Sequence, residues 1–216
     1  MHTMKKSEDL HGNVPDQFPI ALLIIDMIND LEFPNGEQLL KPSVKAAKQI
    51  AALKQRSRDL TIPVIYVNDN FGRWRSDFKE VVEHCLKDGV RGQPLVELLY
   101  PASDDYFVLK PKHSAFFATT LDTLLEYLNV KHLILTGISA DICVLFSAKD
   151  AYMREYSLSI PGDCLAADTT AHTKMALTYM ERVLGADTTP SSRLDLEFLS
   201  RNVLSAVGPK LTSTND

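Results

Sequence analysis

Three side chains of this chain could together carry out covalent hydrolysis: a thiol, a carboxylate and an amine. Each lies far from the others in sequence, at or just after the end of an apolar run. Cys143 falls in TGISADICVLFSAKDA (136–151), which overlaps the apolar run HLILTG and leads into a helical pattern. Asp26 closes ALLIID (21–26), and Lys110 closes YFVLK (106–110). A free thiol has a pKa of about 8.5 and is mostly protonated at neutral pH, and a helix N-terminus or a nearby cation lowers that value. Cys143 at a helix start, with Lys110 as the cation, is therefore expected to ionise readily. Asp26 would take the thiol proton and later deliver it to a leaving amine, acid–base work that typically contributes about 10²–10⁴-fold. Backbone N–H groups of the GISADIC turn would hold the oxyanion of a tetrahedral intermediate. Each residue also has a plainer reading. A cysteine at a strand–helix junction is often core, an Asp ending a strand is often a turn former, and a Lys there is often solvated. On the residues alone both readings stay open, because structural ion-pair networks use the same groups.

Those positions matter only if the fold brings them together. Short apolar runs alternate with helical patterns along the chain. The runs are ALLIID (21–26), IPVIYVN (62–68), YFVLK (106–110), KHLILTG (131–137) and a weaker YSLSI (156–160). Their nearly continuous apolar character suits strands buried on both faces of a parallel sheet. Between them, Val44, Ala47, Ile50 and Ala51 mark one helix, and Leu121, Leu124, Leu125 and Leu128 mark another. Met175, Tyr179, Met180 and Val183 mark a third, expected to face the core. Thr119 or Thr120 is a candidate cap for the Leu121 helix, and Asn129 a candidate stop. GADTTPSS (185–192) is expected to hold a last short strand, followed by a helix from about 194 to 207. Alternating strands and helices imply right-handed crossovers and a three-layer α/β domain. In such sheets ligands bind outside the carboxyl ends of the strands, where Asp26, Asn68, Asp69, Lys110 and the GISADIC segment all fall.

The 216 residues, with a hydrophobic fraction of 45% and a net charge of −5, suit one domain with a sizeable core. Mild acidity without a basic cluster argues against nucleic-acid binding. No apolar run approaches the roughly 18–20 residues of a membrane span. The N-terminal segment MHTMKKSEDLHGNVPDQFP lacks the apolar core of a secretory signal and reads as a polar arm. Three cysteines, Cys85, Cys143 and Cys164, suit a reducing cytoplasm better than a disulfide framework. GIS lacks the second glycine of G-x-S-x-G, so Ser139 is not a nucleophile-elbow serine. No dinucleotide or P-loop glycine pattern occurs, and no Cys/His spacing resembles a zinc site. Asp104 and Asp105 read as a polar turn.

Three stretches carry a family resemblance. LLIIDMINDL resembles the opening strand and turn of the isochorismatase-like cysteine hydrolases. VLKPKHSAFFATTLDTLL resembles their lysine strand and helix entry, and LILTGISADICVLFSAKDAYMREYSLSIPGDCLAA their nucleophile segment. The resemblance spans about residues 19–190. It implies an Asp-Lys-Cys triad of Asp26, Lys110 and Cys143, and a cis peptide at Ile138–Ser139. It also implies an oxyanion hole built from the backbone N–H groups of Ser139 and Cys143. The implied fold is a Rossmann-like sheet of six parallel strands with helices on both faces, in homodimers or homotetramers. The domain would span 19–208, between a polar arm (1–18) and a polar tail (209–216). Nicotinamidases of the superfamily hold a metal through an Asp and several His residues after the second strand. Here Asp69 matches the Asp, but Asn70, Phe71 and Gly72 supply no histidine, so no metal is expected. Isochorismatases that cleave a vinyl ether lack the nucleophile cysteine, so Cys143 points to C–N bond hydrolysis. Ile28 and Leu31 replace the Gln and Phe of the family's D-x-Q-x-D-F opening, which implies a different pocket shape.

The resulting expectation is a cytoplasmic cysteine amidohydrolase with a small-molecule substrate, no cofactor, and no nucleic-acid or membrane partner. Asn68, Asp69, Phe71 and Trp74 are candidates for the pocket wall. His113, beside the lysine strand, reads as structural in preference to a second base. The competing readings are an ether or ester hydrolase and a non-catalytic binding module on the same fold.

Overall fold

The computed structural model describes residues 18–70 and 77–206, with backbone alone for 202–206. Phe71, Trp74, the tail at 209–216 and all of the expected N-terminal arm but Phe18 lie outside the described residues.

Six strands form one parallel sheet: β1 (Ile20–Ile25), β2 (Val64–Asp69), β3 (Tyr106–Lys110), β4 (His132–Ile138), β5 (Ser157–Ser159) and β6 (Leu165–Ala166). The spatial order is β3-β2-β1-β4-β5, with β6 pairing the end of β4. Every residue of β1 and β4 is buried. Their side chains alternate between two hydrophobic layers. Ile20, Leu22 and Ile24 enter one, Ala21, Leu23 and Ile25 the other. That double coverage is why the runs are continuously apolar rather than alternating. Each buried aliphatic side chain is worth about 1.5–3 kcal/mol, which makes these two central strands the axis of the fold.

The first layer is closed by α1 (Gly36–Asp59), α2 (Phe78–Lys87), α3 (Gln93–Leu98) and α7 (Leu196–Ala206). The second is closed by α4 (Leu121–Tyr127), α5 (Leu145–Met153) and α6 (Thr170–Leu184). In α4 the expected stripe holds: Leu121, Leu125 and Leu128 are buried and Leu124 packs beside them. Thr119, not Thr120, supplies a side-chain acceptor at its start, receiving the Leu121 N–H at 3.2 Å. Asn129 takes positive φ just past the helix end. In α6 the expected stripe is only partly right. Ala176, Met180 and Leu184 face the core, while Met175 and Val183 are exposed. Small Ala176 lets the helix approach closely, which turns the larger neighbours outward.

The sixth strand is also not where the sequence suggested. GADTTPSS makes one isolated bridge, Ser159 to Asp187, and the strand proper is Leu165–Ala166. Two residues are too few to show as a periodic run. Among the described residues, no helix is long and apolar enough to cross a membrane.

The chain runs outward from β1 through β2 to β3, then returns to the other side of β1 with β4. This reversal creates a crevice at the carboxyl ends of β1 and β4, the expected ligand position in an open parallel sheet.

Candidate active site

β1 ends at Ile25, and the chain turns at once, with Asp26 in the left-handed region at φ 53. Asp tolerates that conformation better than most residues. The Asp26 N–H stays in the sheet, donating to the Val67 carbonyl at 2.9 Å, so the carboxylate is held at the sheet edge. Next door, β4 ends in Gly137 and Ile138. Gly137 sits at φ 119 opposite Ile25, and a Cβ on it would lie 2.0 Å from the Ile25 carbonyl oxygen. The Ile138–Ser139 peptide bond is cis. A π-helical turn, Ala140–Val144, follows, with the Val144 N–H reaching back five residues to the Ser139 carbonyl at 3.1 Å. Such turns recur at functional sites. Here it carries Cys143, two residues before α5 begins.

β3 brings Lys110 to the same place. Its ammonium lies 2.8 Å from Asp26 Oδ2, 3.5 Å from Cys143 Sγ and 3.7 Å from Asp69 Oδ2. The second Asp26 oxygen accepts the Asp69 backbone N–H at 2.8 Å. Lys110 is fully buried and Asp26 is 4% exposed. The three side chains singled out in the sequence thus form one contiguous cluster.

Their electrostatics differ from the sequence expectation in one respect. Burial pushes the Cys143 thiol up to about 12, the Asp26 charge adds to the rise, and Lys110 offsets only part of it. Cys143 is therefore a thiol at rest, not the ready thiolate a helix start alone would suggest. The π-helical turn places the sulfur inward, where desolvation outweighs the neighbouring cation. Burial also raises the Asp26 carboxyl above its ordinary value, against the opposing pull of Lys110 and the hydrogen bond with Cys143. A base of raised pKa in contact with a protonated thiol suits proton transfer during attack. Burial works to lower Lys110, but the charge and hydrogen bond of Asp26, together with the charge of Asp69, outweigh it and hold the ammonium above its usual range.

A cleft of about 640 Å³ opens over this cluster. Asp26, Asp69 and Cys143 form its floor. The segment after β1 and the start of α1 supply Asn29, Phe33, Pro34, Asn35 and Leu39. His113 and Ile142 stand near the thiol, and Asp141, Asp168 and His172 form a polar rim. Of the expected wall residues, Asp69 is in place. Asn68 is not: it is fully buried, and its Nδ2 donates to the Ile28 carbonyl at 2.6 Å, bracing the turn beneath. Strand alternation explains the difference, because adjacent residues point to opposite faces.

Sequence reasoning missed the polar rim. Ser139 Oγ donates to Asp141 at 2.6 Å, and His172 Nδ1 lies 2.6 Å from Asp168 and 3.8 Å from Asp141. The hydrogen bond to Asp168 holds His172 above its ordinary range. Ligand atoms of Asp141, Asp168 and His172 lie within 4.8 Å of one another, a donor set that a cation could also use. The available signal was Asp168, a carboxylate just past a strand end, four residues before a histidine in a helix start.

Comparison with known proteins decides the family. A sequence profile of the isochorismatase domain matches residues 20–191. The chain belongs to the isochorismatase family and is one of its hydrolases. It is 47% identical over 174 residues to the uncharacterized isochorismatase family protein YaaI of Bacillus subtilis, covering 81% of this chain and 95% of that one. Among solved structures, N-carbamoylsarcosine amidase from Thermoplasma acidophilum superposes with a TM-score of 0.62 at 28% identity. That match covers 82% of this chain and 98% of the amidase. The nicotinamidase/pyrazinamidase PncA of Bacillus subtilis gives a TM-score of 0.62 at 26% identity, covering 79% and 98%.

Proposed function

We propose that this protein hydrolyses a C–N bond of a small amide or carbamoyl compound through a Cys143 thioester. The observation that carries the reading is the contact of one buried carboxylate, Asp26, with both a protonated thiol and a buried ammonium on the floor of a cleft. Similarity to an amidase and a nicotinamidase supports the choice of bond.

In this reading Asp26 takes the thiol proton as Sγ bonds to the carbonyl carbon. The carbonyl electron pair moves to oxygen, and the backbone N–H groups of Ser139 and Cys143 donate to that oxyanion. Lys110 keeps Asp26 oriented and balances the charge that develops on sulfur. The intermediate collapses, the C–N bond breaks, and the leaving nitrogen takes the proton from Asp26. Water then cleaves the thioester to a carboxylic acid and restores the thiol. Asp69, Phe33 and Ile142 are proposed to shape the substrate end of the cleft, together with Phe71 and Trp74 from the adjoining segment. A cytoplasmic homodimer or homotetramer, of one hydrolase domain over 19–208, remains part of this proposal.

The test is ammonia or amine release from a panel of carbamoyl and carboxamide compounds, with Cys143→Ala as control. Release that disappears in Cys143→Ala supports the reading. Pyruvate release from a vinyl ether instead, or turnover that survives Cys143→Ala, would overturn it.

A further inference from the structure

Besides Asp26 and Lys110, a third titratable group approaches the sulfur. His113 Nδ1 stands 3.9 Å from Cys143 Sγ. Several contacts hold this approach in place. The Ala115 N–H donates to Ser147 Oγ at 2.9 Å, and Ser147 Oγ donates to the Cys143 carbonyl at 2.6 Å. Ser114 Oγ donates to the Asp150 carboxylate. The imidazole lies against the Phe146 ring, 5.7 Å between centroids. The segment that carries His113 is therefore fastened to the segment that carries Cys143, at Cys143 itself and at three residues of α5, Phe146, Ser147 and Asp150.

Asp26 and His113 meet the sulfur from different environments. Asp26 is buried, and both its oxygens already accept hydrogen bonds, from Lys110 and from the Asp69 N–H. His113 is exposed and lines the cleft, where water arrives. We infer that His113 is a second acid–base catalyst and serves the water step, while Asp26 serves the attack on the amide. The inference rests on the thioester reading above.

The step balances without any further reactant. The unprotonated Nδ1 of His113 takes a proton from water as the water oxygen bonds to the thioester carbon, and the carbonyl electron pair moves to oxygen. When that intermediate collapses, the C–S bond breaks and its electron pair stays on sulfur. The imidazolium returns its proton to Sγ, which the 3.9 Å approach permits once the acyl group leaves. The products are a carboxylic acid and the resting thiol.

p-Nitrophenyl acetate acetylates an active thiol whatever the natural substrate, so it serves as the probe. The full chain, Cys143→Ala, His113→Gln and His113→Phe are each mixed with it, reading nitrophenolate release and intact mass. The expected result is a burst of about one nitrophenolate per chain in wild type and in both His113 variants. The later steady rate falls about 10²-fold or more in both variants, as loss of a general base predicts. Once the ester is consumed, the acetyl group clears from Cys143 in wild type and persists in the variants. His113→Phe keeps a ring against Phe146 but no nitrogen, so wild-type behaviour in it would overturn the inference. So would an unchanged steady rate in His113→Gln, or a burst that falls in step with the steady rate. Nitrophenolate release no faster than that of Cys143→Ala, with no acetyl group on Cys143, would instead overturn the thioester reading, and the inference with it.

Discussion

Two buried lysine–aspartate pairs stand at opposite ends of β3. At its amino end, Lys54 of α1 lies 2.6 Å from Asp105. At its carboxyl end, Lys110 lies 2.8 Å from Asp26. Taken as ion pairs they look alike, but their remaining contacts do not. Lys54 also donates to the Tyr66 hydroxyl at 2.9 Å and the Tyr100 carbonyl at 3.1 Å. Asp105 also accepts from Arg58 at 2.9 Å and from the Ala102 N–H at 2.7 Å. Every strong direction of that pair ends on a fixed protein group. Lys110 and Asp26 instead turn toward a thiol and a cleft. A saturated buried pair braces structure, and one whose last contact is a thiol can move a proton. The sequence motif for the first, PASDDY, read as a polar turn because its partners lie 46 and more residues away.

Five variants sharpen this contrast. The largest effect is expected at the pair proposed to be catalytic. Asp26→Asn should lower turnover about 10²–10⁴-fold, and the wild-type acid limb should lie above the ordinary carboxylate value of 3.8, because burial raises Asp26. Cys143→Ala should abolish turnover with an unchanged denaturation midpoint. A pH–rate profile and a urea titration check both. At the structural pair the pattern should invert. Lys54→Met leaves buried Asp105 with Arg58 and the Ala102 N–H but without its nearer cation, and should cost about 3 kcal/mol, with turnover per folded molecule unchanged. Equal losses of activity in the two variants would erase the distinction.

A buried base gives the next effect. His132 contacts Ser159 Oγ at 2.9 Å, and burial lowers it from 6.5 to about 4, although Asp187 pulls the other way. The unfolded chain then binds more protons than the folded one between those values. Stability is complete above about pH 6.5 and is lost as pH falls toward 4, by roughly 2–3 kcal/mol. His132→Gln should flatten that part of the profile in denaturant titrations. The smallest effect belongs to Asp104, the exposed partner of Arg58 beside buried Asp105. Asp104→Asn should cost about 0.5 kcal/mol or less in the same titration, because solvent screens the exposed pair.

Strands were legible wherever burial on both faces left a run of apolar residues, as in β1 and β4. The three central side chains of the site were legible because each closes or follows such a run. What stayed hidden depended on distance or on small residues. Leu165–Ala166 pairs as a strand through only two residues. α6 packs through Ala176, so Met175 and Val183 mislead a hydrophobic count. The inward turn of the π-helical segment could not be read either, and with it went the direction of the Cys143 shift. The nearness of His113 to the sulfur could not be read from the sequence, because it depends on the Ser147 and Asp150 contacts, which come from α5.

The contact of Gly137 with the Ile25 carbonyl has a consequence for how the cleft can diversify. Asp26 follows Ile25 and Ser139 follows Ile138, so the spacing of the proposed base and the proposed oxyanion donor is set where two main chains touch. No side chain in the cleft wall takes part in that contact. Phe33, Leu39 or Ile142 can therefore be exchanged in a library while the reacting groups keep their separation. A side chain at Gly137 would pry the two strands apart and alter every reaction at once. Selection for a new substrate has free play at the rim and none at the joint.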